Sequence, residues 1–182
     1  MATSIVGAAW RTLSTGGPLA TIAGGLQVVV ACALLLRAPE RRAARTRDLA
    51  AALPSLLVAG VVMAAAAQHP WSTLGLGVAM VGVCVAVAGI VSLGPSFAVL
   101  PGVRALRTGG LYRWVRHPVY LGEGIVFLAA AAQLGWSGAA AVVTLVPLLV
   151  WRIQVEERLL SREPSWAEWA ARVRWRLLPG AW

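Results

Sequence analysis

Apolar residues fall along this chain in long, nearly uncharged runs, without the alternation of a half-buried strand or the single greasy stripe of a surface helix. The runs cover about Pro18 to Leu36, Leu49 to Ala67, Thr73 to Leu93, Val119 to Leu134 and Ser137 to Val150. Segments of this kind predict helices that cross a bilayer, whose hydrocarbon takes roughly 20 residues at about 1.5 Å each. The breaks between them agree. Gly94-Pro95 stops the third run, the uncharged Gln68-His69-Pro70-Trp71-Ser72 joins the second to the third, and only Gly135-Trp136 parts the last two. Those two are short, at sixteen and fourteen residues, and predict a tight hairpin that starts below the membrane surface or thins the bilayer locally. No small-x-small cleavage site follows the first run before the arginine cluster, so it reads as a helix and not as a signal peptide. The expected fold is all-α: a polytopic membrane protein of about five transmembrane helices, the last two a short helical hairpin, with a cytoplasmic C-terminal helical tail. Residues 1–93 form an N-terminal three-helix region, and 94–182 carry the polar motifs.

Composition and charge sharpen this picture. The chain is 59% hydrophobic and 13% charged, about half the usual charged share of a globular protein. All sixteen basic residues are arginine. With five spans, the 37–48 connector, the 94–117 loop and the C-terminal tail share one side, which holds fifteen arginines and leaves only Arg11 opposite. The positive-inside rule makes that side cytoplasmic and puts the N-terminus outside. Topology thus accounts for the net charge of +9, and a nucleic-acid partner is not expected. Abundant Ala, Gly and Val with no lysine look like a high-GC coding bias, which points to a bacterial inner membrane. The nine tryptophans all sit at span ends or in the tail, as interfacial anchors do. Cys32 and Cys84 lie within apolar spans as small packing residues. His69 and His117 fall on opposite sides, so no metal site is expected.

Chemistry concentrates in two stretches. The first is Tyr112 to Gly124, YRWVRHPVYLGEG. Arg116, His117 and Tyr120 offer hydrogen bonds to a polar or anionic ligand, and Pro118 opens a helix whose free amides and positive dipole end face the same place. Glu123 falls inside the apolar run, where an ionised group is costly and is either functional or paired, with Arg116 or Arg152 as its partner. The second stretch is WRIQVEERLL from Trp151. Arg152 and Glu156 share a helix face, Glu157 lies about 100° round, and the hairpin brings all three back to the side of the first stretch. Neither a Gly-rich phosphate loop nor a serine–histidine–aspartate order is visible.

The run TGGLYRWVRHPVYLGEG, followed about thirty residues later by RIQVEERLL and WAEWAARVRWRLLPG, resembles the isoprenylcysteine carboxyl methyltransferase family and its phospholipid N-methyltransferase relatives. The resemblance covers about Ser92 to Trp182 and makes 94–182 a cofactor-binding region. It implies S-adenosylmethionine as methyl donor, a lipophilic acceptor, and a pocket at the cytoplasmic ends of the last helices. Carried over by position, the cofactor meets the backbone around Leu106 and Arg107, with Tyr112, the segment His117, Pro118, Val119 and Tyr120, and Glu156. Relatives also implicate the glycine pair Gly122 and Gly124 and the twin Glu156 and Glu157. Arg152 matches a position tied to the methyl acceptor. Arg152 and Glu123 are the expected catalytic residues, Glu123 as base for an amine or thiol acceptor. Where relatives carry G-x-x-Y-x-x-Y, this chain has Pro164, Trp166 and Trp169, which suggest an interfacial amphipathic tail. An NADPH-dependent membrane reductase of the sterol-reductase type shares RHP-x-Y-x-G-[ED] but usually has Asn where Val119 stands, and a non-catalytic membrane protein is the third reading.

Overall fold

The structure is a computed structural model and describes residues 29–30, 32–36, 50, 52–97 and 106–182. No strand occurs among them, as the apolar runs require. Four helices form a bundle: α1 (Leu53–Ala66), α2 (Thr73–Leu93), α3 (Pro118–Ala132) and α4 (Gly135–Leu160). A short α5 (Trp166–Arg172) lies beyond them. Residues 29–30 and 32–35 are also helical. The remainder of the expected first span, the 37–48 connector and residues 98–105 lie outside the described residues.

Two of the described helices, at Thr73–Ser96 and Gly135–Leu160, are long and apolar enough to cross a membrane. α1 and α3 are shorter, at 14 and 15 residues, or about 21–23 Å. α2 has the boundaries its sequence predicts. Ser72 caps it by accepting a hydrogen bond from the Gly75 amide at 3.0 Å, and Gly94 ends it with φ of 52°, a left-handed turn that favours glycine. α3 begins at Pro118, where proline costs no intrahelical bond.

α4 outlasts its apolar run. The run ends at Val150, and the helix continues 26 residues in all to Leu160, about 39 Å, as a shared face for Arg152 and Glu156 requires. Residues 151–160 contain no Gly or Pro, and Ile153, Val155 and Leu159 are buried, so packing carries the helix past the end of the apolar run. The hairpin is therefore short on one arm only, and the long arm carries Arg152, Glu156 and Glu157 with it.

α3 is the hub, in contact with α1, α2 and α4. On α2 the small residues Gly82, Ala86 and Gly89 recur on one face against Val119, Gly122 and Val126 of α3. On the other side Val62 and Ala66 of α1, Phe127, Ala130 and Ala131 of α3, and Leu145 of α4 form a buried apolar cluster. Glycine lets α3 and α4 turn tightly: Gly135 has φ of 55°, and Gly138 rides on the Ala131 carbonyl with no space for a side chain.

Candidate functional site

The start of α3 and the end of α4 lie at one end of the bundle, so the two polar stretches meet. The Tyr120 hydroxyl donates to Oε2 of Glu156 at 2.6 Å. Arg116 donates through Nη1 to Oε1 of Glu157 at 3.1 Å, and His117 Nε2 lies 3.3 Å from the same oxygen. Adjacent residues on a helix point about 100° apart, which sends the twin glutamates into different surroundings. Glu156 faces the first turn of α3, and Glu157 faces the C-terminal tail. All nine arginines of the described residues belong to this end, while the opposite end, around 67–72 and 133–135, carries no charged residue.

Beside this junction α1, α3 and α4, with Ala86 of α2, line a partly open cavity of about 240 Å³. Its walls are apolar, with Leu56, Ala59, Met63, Phe127, Leu145 and Leu149 among them. Tyr120, Glu123 and Arg152 supply its polar side. The Arg152 guanidinium lies 4.7 Å from the centre of the Tyr120 ring, and the His117 ring stacks on Tyr120 with centres 5.5 Å apart. A cation above an aromatic face is attracted by the ring quadrupole, more strongly where water is excluded. Arg152 is 4% exposed, so its charge is held in place by what surrounds it. Of the two expected partners of Glu123, Arg152 shares its cavity, whereas Arg116 is turned to the tail.

The remaining predicted residues divide. Gly124 lines the cavity, and a Cβ there meets nothing within 4 Å. Gly122 faces α2, where a Cβ would collide with the Ala86 amide nitrogen, so the two glycines of one motif serve different neighbours. Pro118 is fully buried, and Val119 fills the space beside Gly89. Leu106 packs against the buried group formed by Tyr112, Trp166, Trp169 and Val173. Arg107 is exposed and reaches the Ser96 hydroxyl at 3.4 Å. Burial raises the ionisation of the Tyr112 phenol well above its ordinary range, and the charges of Glu156 and Glu123 add to this, so the ring stays neutral.

One expectation is corrected. Trp166 and Trp169 are not interfacial anchors, being 8% and 3% exposed. Trp169 Nε1 donates to the Tyr112 carbonyl at 3.2 Å, and the pair packs edge to face at 5.1 Å. Large rings next to a buried partner lose more water by packing inward than by lying in headgroups. Trp114 and Trp136 are instead exposed, at 67% and 91%.

Sequence reasoning overlooked Arg176, whose Nε donates to Oε2 of Glu157 at 2.9 Å. Its sole signal was a cluster of arginines far along the tail. It also overlooked Gly110, where φ is 58° and a side chain would strike the Ser92 hydroxyl. That hydroxyl accepts from the Leu111 amide at 3.4 Å and joins the end of α2 to the polar stretch.

No group of His, Cys, Asp and Glu able to hold a metal ion occurs among the described residues. The profile of the isoprenylcysteine carboxyl methyltransferase family matches residues 74–162, from the first turn of α2 to just past the end of α4. No curated protein matches the chain. The matched stretch, about half of the chain, contains the α2–α3 seam, the cavity's polar side and both glutamates, and the match supports an isoprenylcysteine carboxyl methyltransferase-like family.

Proposed function

We propose that the chain is an integral membrane methyltransferase that uses S-adenosylmethionine to methylate a lipophilic acceptor seated in the bundle cavity. The observation that carries this reading is the junction of Tyr120 and Glu156, at 2.6 Å, beside an apolar cavity whose polar side holds Glu123 and Arg152. A zwitterionic amino-acid moiety and a ribose diol call for donors to a carboxylate and acceptors for an ammonium and hydroxyls. The first-turn amides of α3 suit the first and Glu156, held by the Tyr120 hydroxyl, the second, which leaves Arg152 and Glu123 to the methyl acceptor, so the residues fit such a cofactor.

Bound there, S-adenosylmethionine supplies an electrophilic methyl group on a sulfonium. Glu156, Tyr120 and the backbone from His117 to Tyr120 would hold it, with Leu106, Arg107 and Tyr112 on the side of the preceding loop. Arg152 orients an acceptor carboxylate. For an amine or thiol acceptor, Glu123 takes the proton at its carboxylate oxygen. The apolar walls exclude water and align the reacting groups, which suits a displacement that needs no covalent enzyme intermediate. The arginine-rich end faces the cytoplasm by the positive-inside rule, and the acceptor belongs to the lipid phase.

Calorimetric titration of detergent-purified protein with S-adenosylhomocysteine tests the reading. Saturable binding is expected, abolished by Glu156→Ala in a protein that melts as the parent does. Arg152→Ala is expected to lower turnover while keeping cofactor affinity. Binding of NADPH in place of the nucleoside, or full affinity in Glu156→Ala, sinks it.

A further inference from the structure

We propose that Glu157 is a positioning residue: through Arg116 and Arg176 it clamps the 170–176 segment against the entry to α3, and it does not itself contact the cofactor. What that segment walls in rests on the methyltransferase reading; the clamp does not.

Both oxygens of Glu157 are taken by the protein. Oε1 accepts from Arg116 Nη1 at 3.1 Å with His117 Nε2 at 3.3 Å, and Oε2 accepts from Arg176 Nε at 2.9 Å. Its side chain is 12% exposed. A carboxylate with three such neighbours and little access to solvent has few lone-pair directions left for a ligand. Glu156, one residue earlier, binds the Tyr120 hydroxyl beside the cavity, which leaves ligand contact to it.

Arg116 shows what Glu157 holds. Beyond that carboxylate, its Nε donates to the Val173 carbonyl at 2.7 Å and its Nη2 to the Ala170 carbonyl at 2.8 Å. One planar guanidinium thus joins the end of α5 to the end of α4, a task that needs the fixed fork of arginine and not the single point charge of lysine. The backbone repeats the link, because the amides of Arg116 and His117 donate to the carbonyls of Trp175 and Arg176, each at 2.9 Å. Arg176 is braced in turn. The Trp182 carbonyl accepts from the amides of Arg176, Leu177 and Leu178 at 2.9–3.1 Å, and the Trp182 ring lies 5.2 Å below the Arg176 guanidinium. The chain of contacts runs from Trp182 through Arg176, Glu157 and Arg116 to His117, which stacks on Tyr120.

The segment so clamped contains Arg172, Arg174 and Arg176, which makes its docking readable by trypsin. Full-length protein in detergent is compared with Glu157→Gln, Arg116→Lys and Arg176→Gln for cleavage at these arginines, for S-adenosylhomocysteine affinity and for steady-state kinetics. The expected result for Glu157→Gln is cleavage faster by about tenfold, a KM for S-adenosylmethionine higher by about tenfold, a kcat within about twofold, and an unchanged melting temperature of the bundle. Arg116→Lys follows it, and Arg176→Gln follows more weakly. Loss of nucleoside affinity with the tail as protected as in the parent would make Glu157 a direct ligand and overturn the proposal. Unchanged cleavage and unchanged KM overturn it as well. If the parent protein binds no S-adenosylhomocysteine, the methyltransferase reading falls, and the cleavage rates alone still decide the clamp.

Discussion

The two faces of α3 are built in opposite ways. Toward α2, Gly82, Ala86, Gly89 and Gly122 leave so little between the helices that backbone meets backbone; a Cβ on Gly82 would come within 2.8 Å of the Gly122 carbonyl. Toward α1 and α4 the same helix borders a cavity of about 240 Å³ and sets Tyr120 and Glu123 against it. The close face uses dispersion between small residues, which is the main attraction available between helices in lipid, where burial gains nothing from water. Because that seam fixes α3 rigidly, the opposite face tolerates a hollow and a buried charge without collapsing. A site of this kind depends on the residues away from it as much as on those in it.

Breaking the seam is expected to have the largest effect. Gly122→Leu forces a side chain into the Ala86 backbone and should destabilise the bundle by about 3 kcal/mol, seen as a lower melting temperature in detergent and poor recovery of folded protein. A variant that melts with the parent would show that the seam yields and does not brace the site. Next comes the hollow face. Glu123→Gln keeps the volume of the side chain and should lower methyl transfer to an amine or thiol acceptor by about 100-fold with the fold retained, the contribution typical of a positioned base. Undiminished turnover on such an acceptor removes Glu123 from the chemistry.

Tyr120→Phe is a smaller probe of that face. It retains the ring beneath Arg152 but removes the donor to Glu156, and weakening of S-adenosylhomocysteine binding by about tenfold is expected from calorimetry. Equal affinity would mean that Glu156 needs no phenol to hold it. The smallest effect belongs to Gly124→Ala. Its added methyl meets nothing within 4 Å and should be neutral or stabilise by up to about 1 kcal/mol, while acceptor KM shifts modestly. Should Gly124→Ala unfold the protein as Gly122→Leu does, the contrast between the faces fails.

Several features were legible before any coordinates. The apolar run from Thr73 to Leu93 matches α2 residue for residue, because a capping serine and a Gly-Pro stop bracket it. The meeting of the His-Pro stretch with the glutamates follows from a hairpin that must return to its starting side. Side chains at the junction were less so. The family resemblance gave the glycines of G-x-G one role, yet helical rotation of about 200° between them puts one on the seam and the other in the cavity. Tryptophan's preference for interfaces misplaced Trp166 and Trp169, since no local pattern reveals that Tyr112, more than fifty residues earlier, waits to cover them.

Sequence by itself determined that this protein is helical, where α2 begins and ends, and that its arginines gather at one end, because apolar runs, prolines and arginines act through local geometry and the cost of charge in hydrocarbon. Only tertiary structure decided that Glu156 faces Tyr120 while Glu157 is enclosed by Arg116, His117 and Arg176. That assignment depends on the rotation of α4 against α3 and on a tail nearly twenty residues away in sequence, and long-range packing of this sort leaves no periodic trace in the chain.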